Sequence, residues 1–229
     1  MKFPTLELNK YLNSIDSLQG IFSVFGDFGA GKTTFSLQTA INSAKSSKYV
    51  IYIFTKPNFP YEKIMLINNS SKFTENNIQF IQILSFIELY RLIFNLEFLL
   101  LDCLSKKKPK YDLIIIDSIT NLYKLELNKD SKEKNYGLNY QLNQMLANLT
   151  YLNKEYEIEV LVVNELNRKI IEDQIIEVQS GGKVMEFWVK YTLKIIKTEK
   201  LNERKFLFTN TSLQHSFEFT SNLEQKGFL

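Results

Sequence analysis

Apolar residues along this chain are grouped in two alternating ways, as short continuous runs and as longer segments with helical spacing. The short runs predict strands at residues 20–25, 49–54, 78–84, 113–116 and 160–163. The helical spacing predicts helices over residues 35–44, 61–67, 86–104 and 138–154. Strands that are apolar throughout and alternate with helices are typical of a parallel sheet covered by helices.

The pattern changes after Gly182, where strand-like runs follow one another without helices between them. Residues 191–196, 205–209 and 217–220 are separated by polar turns and predict antiparallel strands at the end of the sheet. Residues 124–137 and 167–182 show neither pattern and are expected to be long irregular loops. We therefore predict an α/β fold with a mostly parallel central sheet flanked by helices, in a single domain over residues 1–229.

Composition narrows the class of protein mainly by exclusion. The formal net charge of +3 permits weak attraction to nucleic acid but does not by itself indicate it. The chain has 1 Cys and 1 His, which excludes an internal disulfide and a Cys/His zinc site and fits a reducing cytoplasm. The polar N-terminal segment lacks the apolar core of a signal peptide, and no apolar stretch approaches the length of a membrane span. We therefore expect neither a signal peptide nor a transmembrane helix.

A glycine-rich loop follows the first predicted strand and has the form G-x-x-x-x-G-K-[ST]. In such a loop the backbone N–H groups surround the β-phosphate, Lys32 reaches the β- and γ-phosphates, and Thr33 is a magnesium ligand. A plain glycine turn with a helix cap is the alternative, but the chain has few glycines and the loop lies between a strand and a helix. The motif predicts binding of a nucleoside triphosphate with Mg²⁺. Its candidate residues are Gly26, Asp27, Phe28, Gly29, Ala30, Gly31, Lys32, Thr33 and Thr34.

A second candidate magnesium residue, Asp117, ends the aliphatic run of residues 113–116. A carboxylate at the end of such a strand, the Walker B pattern, holds magnesium or its water in P-loop proteins. An aliphatic run that ends in Asp is common on its own and also fits a simple strand end. Its position downstream of a P-loop favours the magnesium role.

Asp117-Ser118-Ile119-Thr120 and the residues up to Glu126 resemble the segment after Walker B in the RecA/RadA recombinase family, especially its short archaeal RadB branch. Asn164-Glu165 and Gly181-Gly182-Lys183 follow in family order. The resemblance implies a RecA-like P-loop NTPase core that binds ATP, Mg²⁺ and DNA and assists homologous recombination and DNA repair. It also implies weak ATP hydrolysis, no strand exchange, a recombinase or nuclease partner, and the absence of an N-terminal DNA-binding domain.

The chain departs from the family at positions that bear on catalysis. Where the family's second strand ends in Asp-Thr-Glu, with the glutamate orienting the attacking water, this chain has Phe54-Thr55-Lys56. A charged lysine cannot accept a proton from water, so we expect very slow hydrolysis and assign no catalytic residue. Glu62 is the nearest alternative base, although a role at the start of a helix suits it better. Glu165 stands at the family's Gln position, where a carboxylate repels the γ-phosphate.

By resemblance, the two predicted loops correspond to the DNA-facing loops of the RecA core. Their candidate phosphate contacts are Lys124, Lys129, Lys132, Lys134, Arg168, Lys169 and Lys183. Acidic residues in the same segments offset this charge, so ordinary solvated loops are the alternative. Two other functions stay open: a KaiC- or archaellum-type assembly ATPase that acts on proteins, and an ATP-binding regulatory subunit that does not contact DNA.

Overall fold

The predicted strands form a continuous sheet in a computed structural model, which describes residues 1–14, 19–68, 77–128, 130–171 and 174–229. The strands are β1 (Ile21–Gly26), β2 (Val50–Phe54), β3 (Ile78–Gln82), β4 (Leu113–Asp117), β5 (Glu159–Ile171), β6 (Gln174–Gln179), β7 (Val189–Lys197), β8 (Glu203–Asn210), β9 (His215–Glu224) and β10 (Gly227–Phe228). The helices are α1 (Leu6–Asn13), α2 (Lys32–Lys45), α3 (Tyr61–Asn68), α4 (Phe86–Ser105), α5 (Asn121–Glu126), α6 (Lys132–Tyr156) and α7 (Gly182–Trp188).

The strand order is β10-β9-β8-β7-β1-β5-β4-β2-β3, and β6 pairs with β5 off this path. From β7 through β1 to β3 the neighbouring strands pair in parallel. The pairs β7–β8, β8–β9 and β9–β10 are antiparallel. The predicted fold class, a mostly parallel sheet with antiparallel strands at its C-terminal end, is confirmed.

Two apolar cores cover the faces of the sheet because alternate residues of each strand point to opposite sides. In β2, Tyr52 packs on one side with the apolar face of α2, and its neighbours Ile51 and Ile53 pack on the other side with α4 and α6. Each fully buried side chain of this size contributes about 1.5–3 kcal/mol, which explains why these strands are aliphatic along their whole length. Among the helices that the structure describes, none has the length and apolar character needed to cross a bilayer.

The two stretches predicted to be irregular are mostly regular, so that expectation was wrong. Helix α6 begins at Lys132, where the Ser131 side chain accepts a hydrogen bond from the Lys134 backbone N–H. Strand β5 continues to Ile171 and pairs antiparallel with β6. The first turn of α6 is charged and exposed, and Asn167 and Arg168 of the hairpin are exposed, so these segments lack the buried periodicity on which the sequence prediction depended.

The carboxyl ends of β1, β2 and β4 meet at one edge of the sheet, because these strands run in the same direction. In open α/β sheets, ligands bind outside this edge. The P-loop lies there, after β1, and so do Lys56, after β2, and Asp117, at the end of β4. The topology therefore brings together three segments that are far apart in the sequence.

Candidate nucleotide-binding site

The P-loop connects the last residue of β1, Gly26, to the first residue of α2, Lys32. Gly26 passes directly beside β7, so that a Cβ atom on it would lie 2.2 Å from the Ile195 carbonyl oxygen. Gly31 has φ +105° and precedes the helix, whose first N–H groups point towards the loop. This geometry provides backbone donors and the positive end of a helix dipole for a phosphate group.

Lys32 lies inside the loop, with a side chain that is only 6% exposed. Its Nζ donates hydrogen bonds to the carbonyl oxygens of Gly26 at 2.8 Å and Asp27 at 2.9 Å. It also lies 3.4 Å from a carboxylate oxygen of Glu165, at the end of the β5 segment that pairs with β1. Burial lowers the pKa of Lys32 and the Glu165 charge opposes that shift. The ammonium is thus held inside the P-loop by three oxygen partners.

Asp117 is fully buried at the carboxyl end of β4. Its Oδ2 accepts a hydrogen bond of 3.1 Å from the Tyr52 hydroxyl, which lies 2.7 Å from the Ser36 hydroxyl of α2. Burial, reinforced by the Asp117 charge, raises the pKa of Tyr52 well above its usual value, so the phenol keeps its proton and remains a donor. Tyr52 therefore orients the carboxylate, a role that no local motif indicated.

Lys56 extends from the end of β2 into the space between the two predicted magnesium ligands. Its Nζ donates to the Thr33 hydroxyl at 3.2 Å and lies 3.5 Å from Asp117 Oδ1. The other carboxylate oxygen bonds Tyr52, but Oδ1 has no hydrogen-bond partner among the described residues. The structure thus brings Thr33, Asp117 and Lys56 together, as the strand order requires.

Lys32, Thr33 and Lys56 line a cleft of about 960 Å³. Besides P-loop residues, the cleft is lined by Lys56, Pro57, Asn121, Lys124, Leu125, Glu165 and Leu223. Lys124, expected to contact DNA, belongs to α5 and faces the same space as Lys32 and Lys56. Lys197, at the end of β7, also lies over the loop, because its Nζ would be 3.3 Å from a Cβ on Gly29. Sequence reasoning missed Lys197, which no motif marks.

The other candidate DNA contacts are distributed over several elements. Lys132 and Lys134 are exposed in the first turn of α6, and Lys183 is exposed in the first turn of α7. Lys129 lies outside the described residues. On the β5–β6 hairpin, Lys169 is 3.8 Å from Glu186.

Arg168, on the same hairpin, connects it to the P-loop. Its Nη2 lies 3.1 Å from Asp27 and 3.3 Å from Glu177. Lys194 of β7 also pairs with Glu177, at 2.9 Å, and lowers the pKa of that carboxyl group. The guanidinium of Arg168 is therefore shared between two carboxylates, one of which belongs to the P-loop.

Asn164 is buried on β5, beside the segment after β4. It donates a 2.9 Å hydrogen bond to the Ser180 carbonyl oxygen, and its side-chain oxygen accepts bonds from the Thr120 hydroxyl and from the Glu165 N–H. These contacts hold the Asn164-Glu165 pair in place and direct Glu165 towards Lys32.

A P-loop after β1 and a buried carboxylate at the end of β4, with β5 between these two strands, define a RecA-like P-loop core. The sequence profile of the Rad51 family matches residues 5–207, so the chain belongs to the Rad51 family of nucleotide-binding proteins.

Relatives named DNA repair and recombination protein RadB give a more specific comparison. The chain is 32% identical over 187 residues to the protein of Methanocaldococcus jannaschii, an alignment that covers 80% of this chain and 79% of the relative. It is 29% identical over 194 residues to that of Methanosphaera stadtmanae, covering 81% and 79%. For Methanobrevibacter smithii the identity is 25% over 213 residues, covering 91% and 87%. The resemblance to the RadB branch is confirmed.

Proposed function

We propose that this chain is an ATP-binding DNA repair and recombination protein of the RadB type, an accessory to a recombinase rather than a strand-exchange motor. The observation that carries the proposal is a complete P-loop whose Lys32 and Thr33 are in place, combined with Lys56 where the family has its catalytic glutamate. The names of the similar proteins support the repair role. A single core over residues 1–229 and a cytoplasmic location remain predictions.

Binding follows from the chemistry of the cleft. The backbone N–H groups of the loop and the start of α2 face the phosphates, and Lys32 adds a charge-assisted donor. The same cleft does not favour ATP hydrolysis. Its carboxylate Glu165 is paired with Lys32, which makes it a poor base for activating water. Glu62, the alternative base, is exposed in the first turn of α3 and does not line the cleft.

Magnesium is expected from the motif, and when bound it would neutralise phosphate charge. The Lys56 ammonium already contacts both of the predicted ligands, Thr33 and Asp117. In this arrangement the oxygen donors do not fit a divalent ion unless Lys56 moves away. We therefore assign no step to the metal.

ATP turnover by the natural sequence is expected to be slow, at or below about 10⁻³ s⁻¹, the scale of a P-loop NTPase without its full catalytic set. Lys56→Glu restores a carboxylate at the end of β2 and should raise the single-turnover rate by roughly tenfold or more. The control is Lys110→Met, at the opposite edge of the sheet, before β4. Rapid turnover by the natural sequence that Lys56→Glu abolishes would contradict the proposal.

Single-stranded DNA binding, measured by fluorescence anisotropy with ATP, ADP or no nucleotide, should weaken steeply with salt. If three to five phosphates are contacted, the log–log slope should be roughly −2 to −3.5. Replacing both Lys132 and Lys134 with alanine should make the slope shallower by about 1.4, because each phosphate contact contributes about 0.7.

Absence of DNA binding at low salt would reject the DNA role and favour the ATP-binding regulatory subunit. One observation supports this alternative: Arg168 pairs with Glu177, and Lys169 pairs with Glu186. These cations are therefore already partly neutralised before any DNA binds. A pull-down of a recombinase with and without ATP then tests the protein partner directly. The assembly-ATPase alternative has no such observation in its favour.

A further inference from the structure

The backbone on either side of Lys56 is held in place, so the position of its side chain is built into the fold. The Thr55 N–H donates to the Asp117 carbonyl oxygen at 2.8 Å, and the Thr55 hydroxyl donates to the Ser118 carbonyl oxygen at 2.9 Å. On the other side, the Gln82 amide donates to the carbonyl oxygens of Lys56 and Pro57, both at 2.8 Å. The Lys56 side chain therefore extends towards the P-loop from a backbone that hydrogen bonds hold on both sides.

The Asp117 carboxylate needs a nearby cation. It has no solvent exposure, and a buried carboxylate without a counter-charge is strongly unfavourable. The Lys56 ammonium supplies that charge at 3.5 Å from Oδ1. It also donates to the Thr33 hydroxyl, the group that ligates magnesium in a P-loop. One ammonium thus contacts both side chains that would hold a magnesium ion.

A divalent ion in the same space would be repelled by the ammonium at contact distance. The Lys56 side chain is about one third exposed. A metal ion could displace its ammonium only by breaking the ion pair with Asp117. Meanwhile Lys32, Lys124 and Lys197 surround the loop with further positive charge. These four ammonium groups outnumber the carboxylates of Asp117 and Glu165, so the cleft keeps a net positive charge for a polyphosphate without a metal ion.

We propose that the Lys56 ammonium takes the place of Mg²⁺ in this site, so that the chain binds a nucleoside triphosphate as the metal-free polyphosphate. This inference rests on the proposed nucleotide-binding function. It assigns Lys56 a binding role that goes beyond the loss of a catalytic glutamate. It also distinguishes this chain from a P-loop protein whose nucleotide affinity depends on the metal.

The test is the affinity for ATPγS, measured by isothermal titration calorimetry on the full chain in excess EDTA and in excess Mg²⁺. For the natural sequence the two dissociation constants should agree within about threefold. Lys56→Glu restores an oxygen ligand and removes the ammonium, so Mg²⁺ should tighten its binding by about tenfold or more. Lys56→Met should weaken binding in EDTA by about tenfold, because a charged donor to the phosphates is lost. Lys110→Met should behave like the natural sequence.

A natural sequence whose affinity falls by about tenfold or more in EDTA would overturn this inference and leave the proposed function intact. Absence of binding in both conditions would overturn both. If circular dichroism shows that either Lys56 variant is unfolded, the comparison of EDTA with Mg²⁺ on the natural sequence decides alone.

Discussion

Replacing Lys32 with alanine is expected to weaken ATPγS binding by about a hundredfold or more, the largest effect on affinity that we predict for one side chain. The ammonium is buried at the mouth of the phosphate-binding loop, where charge-assisted hydrogen bonds are strong because water competes poorly. Calorimetry at a fixed salt concentration measures the loss.

The matched control for this substitution is Lys45→Ala, because Lys45 is exposed in the last turn of the same helix, far from the phosphate loop. It should bind ATPγS as the natural sequence does. Thermal unfolding establishes that both variants are folded before their affinities are compared. Equal affinity of the Lys32 variant and the natural sequence would show that the nucleotide does not bind at this loop.

Replacing Gly26 with alanine is expected to lower the free energy of unfolding by about 3 kcal/mol or more, the largest predicted effect on stability. The added Cβ would lie 2.2 Å from the Ile195 carbonyl oxygen, a backbone atom that cannot move without shifting β7. The φ of Gly26 is +154°, so alanine would in addition be strained there. Urea denaturation followed by circular dichroism measures the change.

Gly137→Ala is the control, since a Cβ on Gly137 meets nothing within 4 Å and the residue lies inside α6. It should raise the free energy of unfolding by about 0.5–1 kcal/mol, because alanine is the better helix former. A Gly26 variant as stable as the natural sequence would show that β1 and β7 do not approach as closely as described.

Much of the fold could be predicted because its central strands are aliphatic along their whole length. Residues 113–116 and 160–163 have this character because both of their faces are covered, one by each core. The helix α5, the early start of α6 and the β5–β6 hairpin escaped prediction for the opposite reason. Helix α5 has only 6 residues, the first turn of α6 is exposed, and the described residues of the hairpin are exposed or half-buried, so none of these segments shows apolar periodicity.

Part of the candidate site could also be predicted from the sequence, and part could not. The P-loop and Asp117 could be recognised because each is a local pattern in which neighbouring residues create the chemistry. The sequence also shows a lysine at position 56, and the family resemblance then implies that a catalytic glutamate has been lost. Its contacts could not be read, since they depend on which strands lie side by side.

By itself, then, the sequence determined the buried strands, the P-loop motif and the family resemblance, because each rests on short motifs and their order along the chain. Only the tertiary structure decided that the Lys56 ammonium lies between Thr33 and Asp117, and that Tyr52 orients the carboxylate. It likewise placed Lys124 in the cleft beside Lys32 and Lys56. The physical reason is strand order: β2 pairs beside β4, and β5 separates β4 from β1, so segments distant in sequence meet at one edge of the sheet.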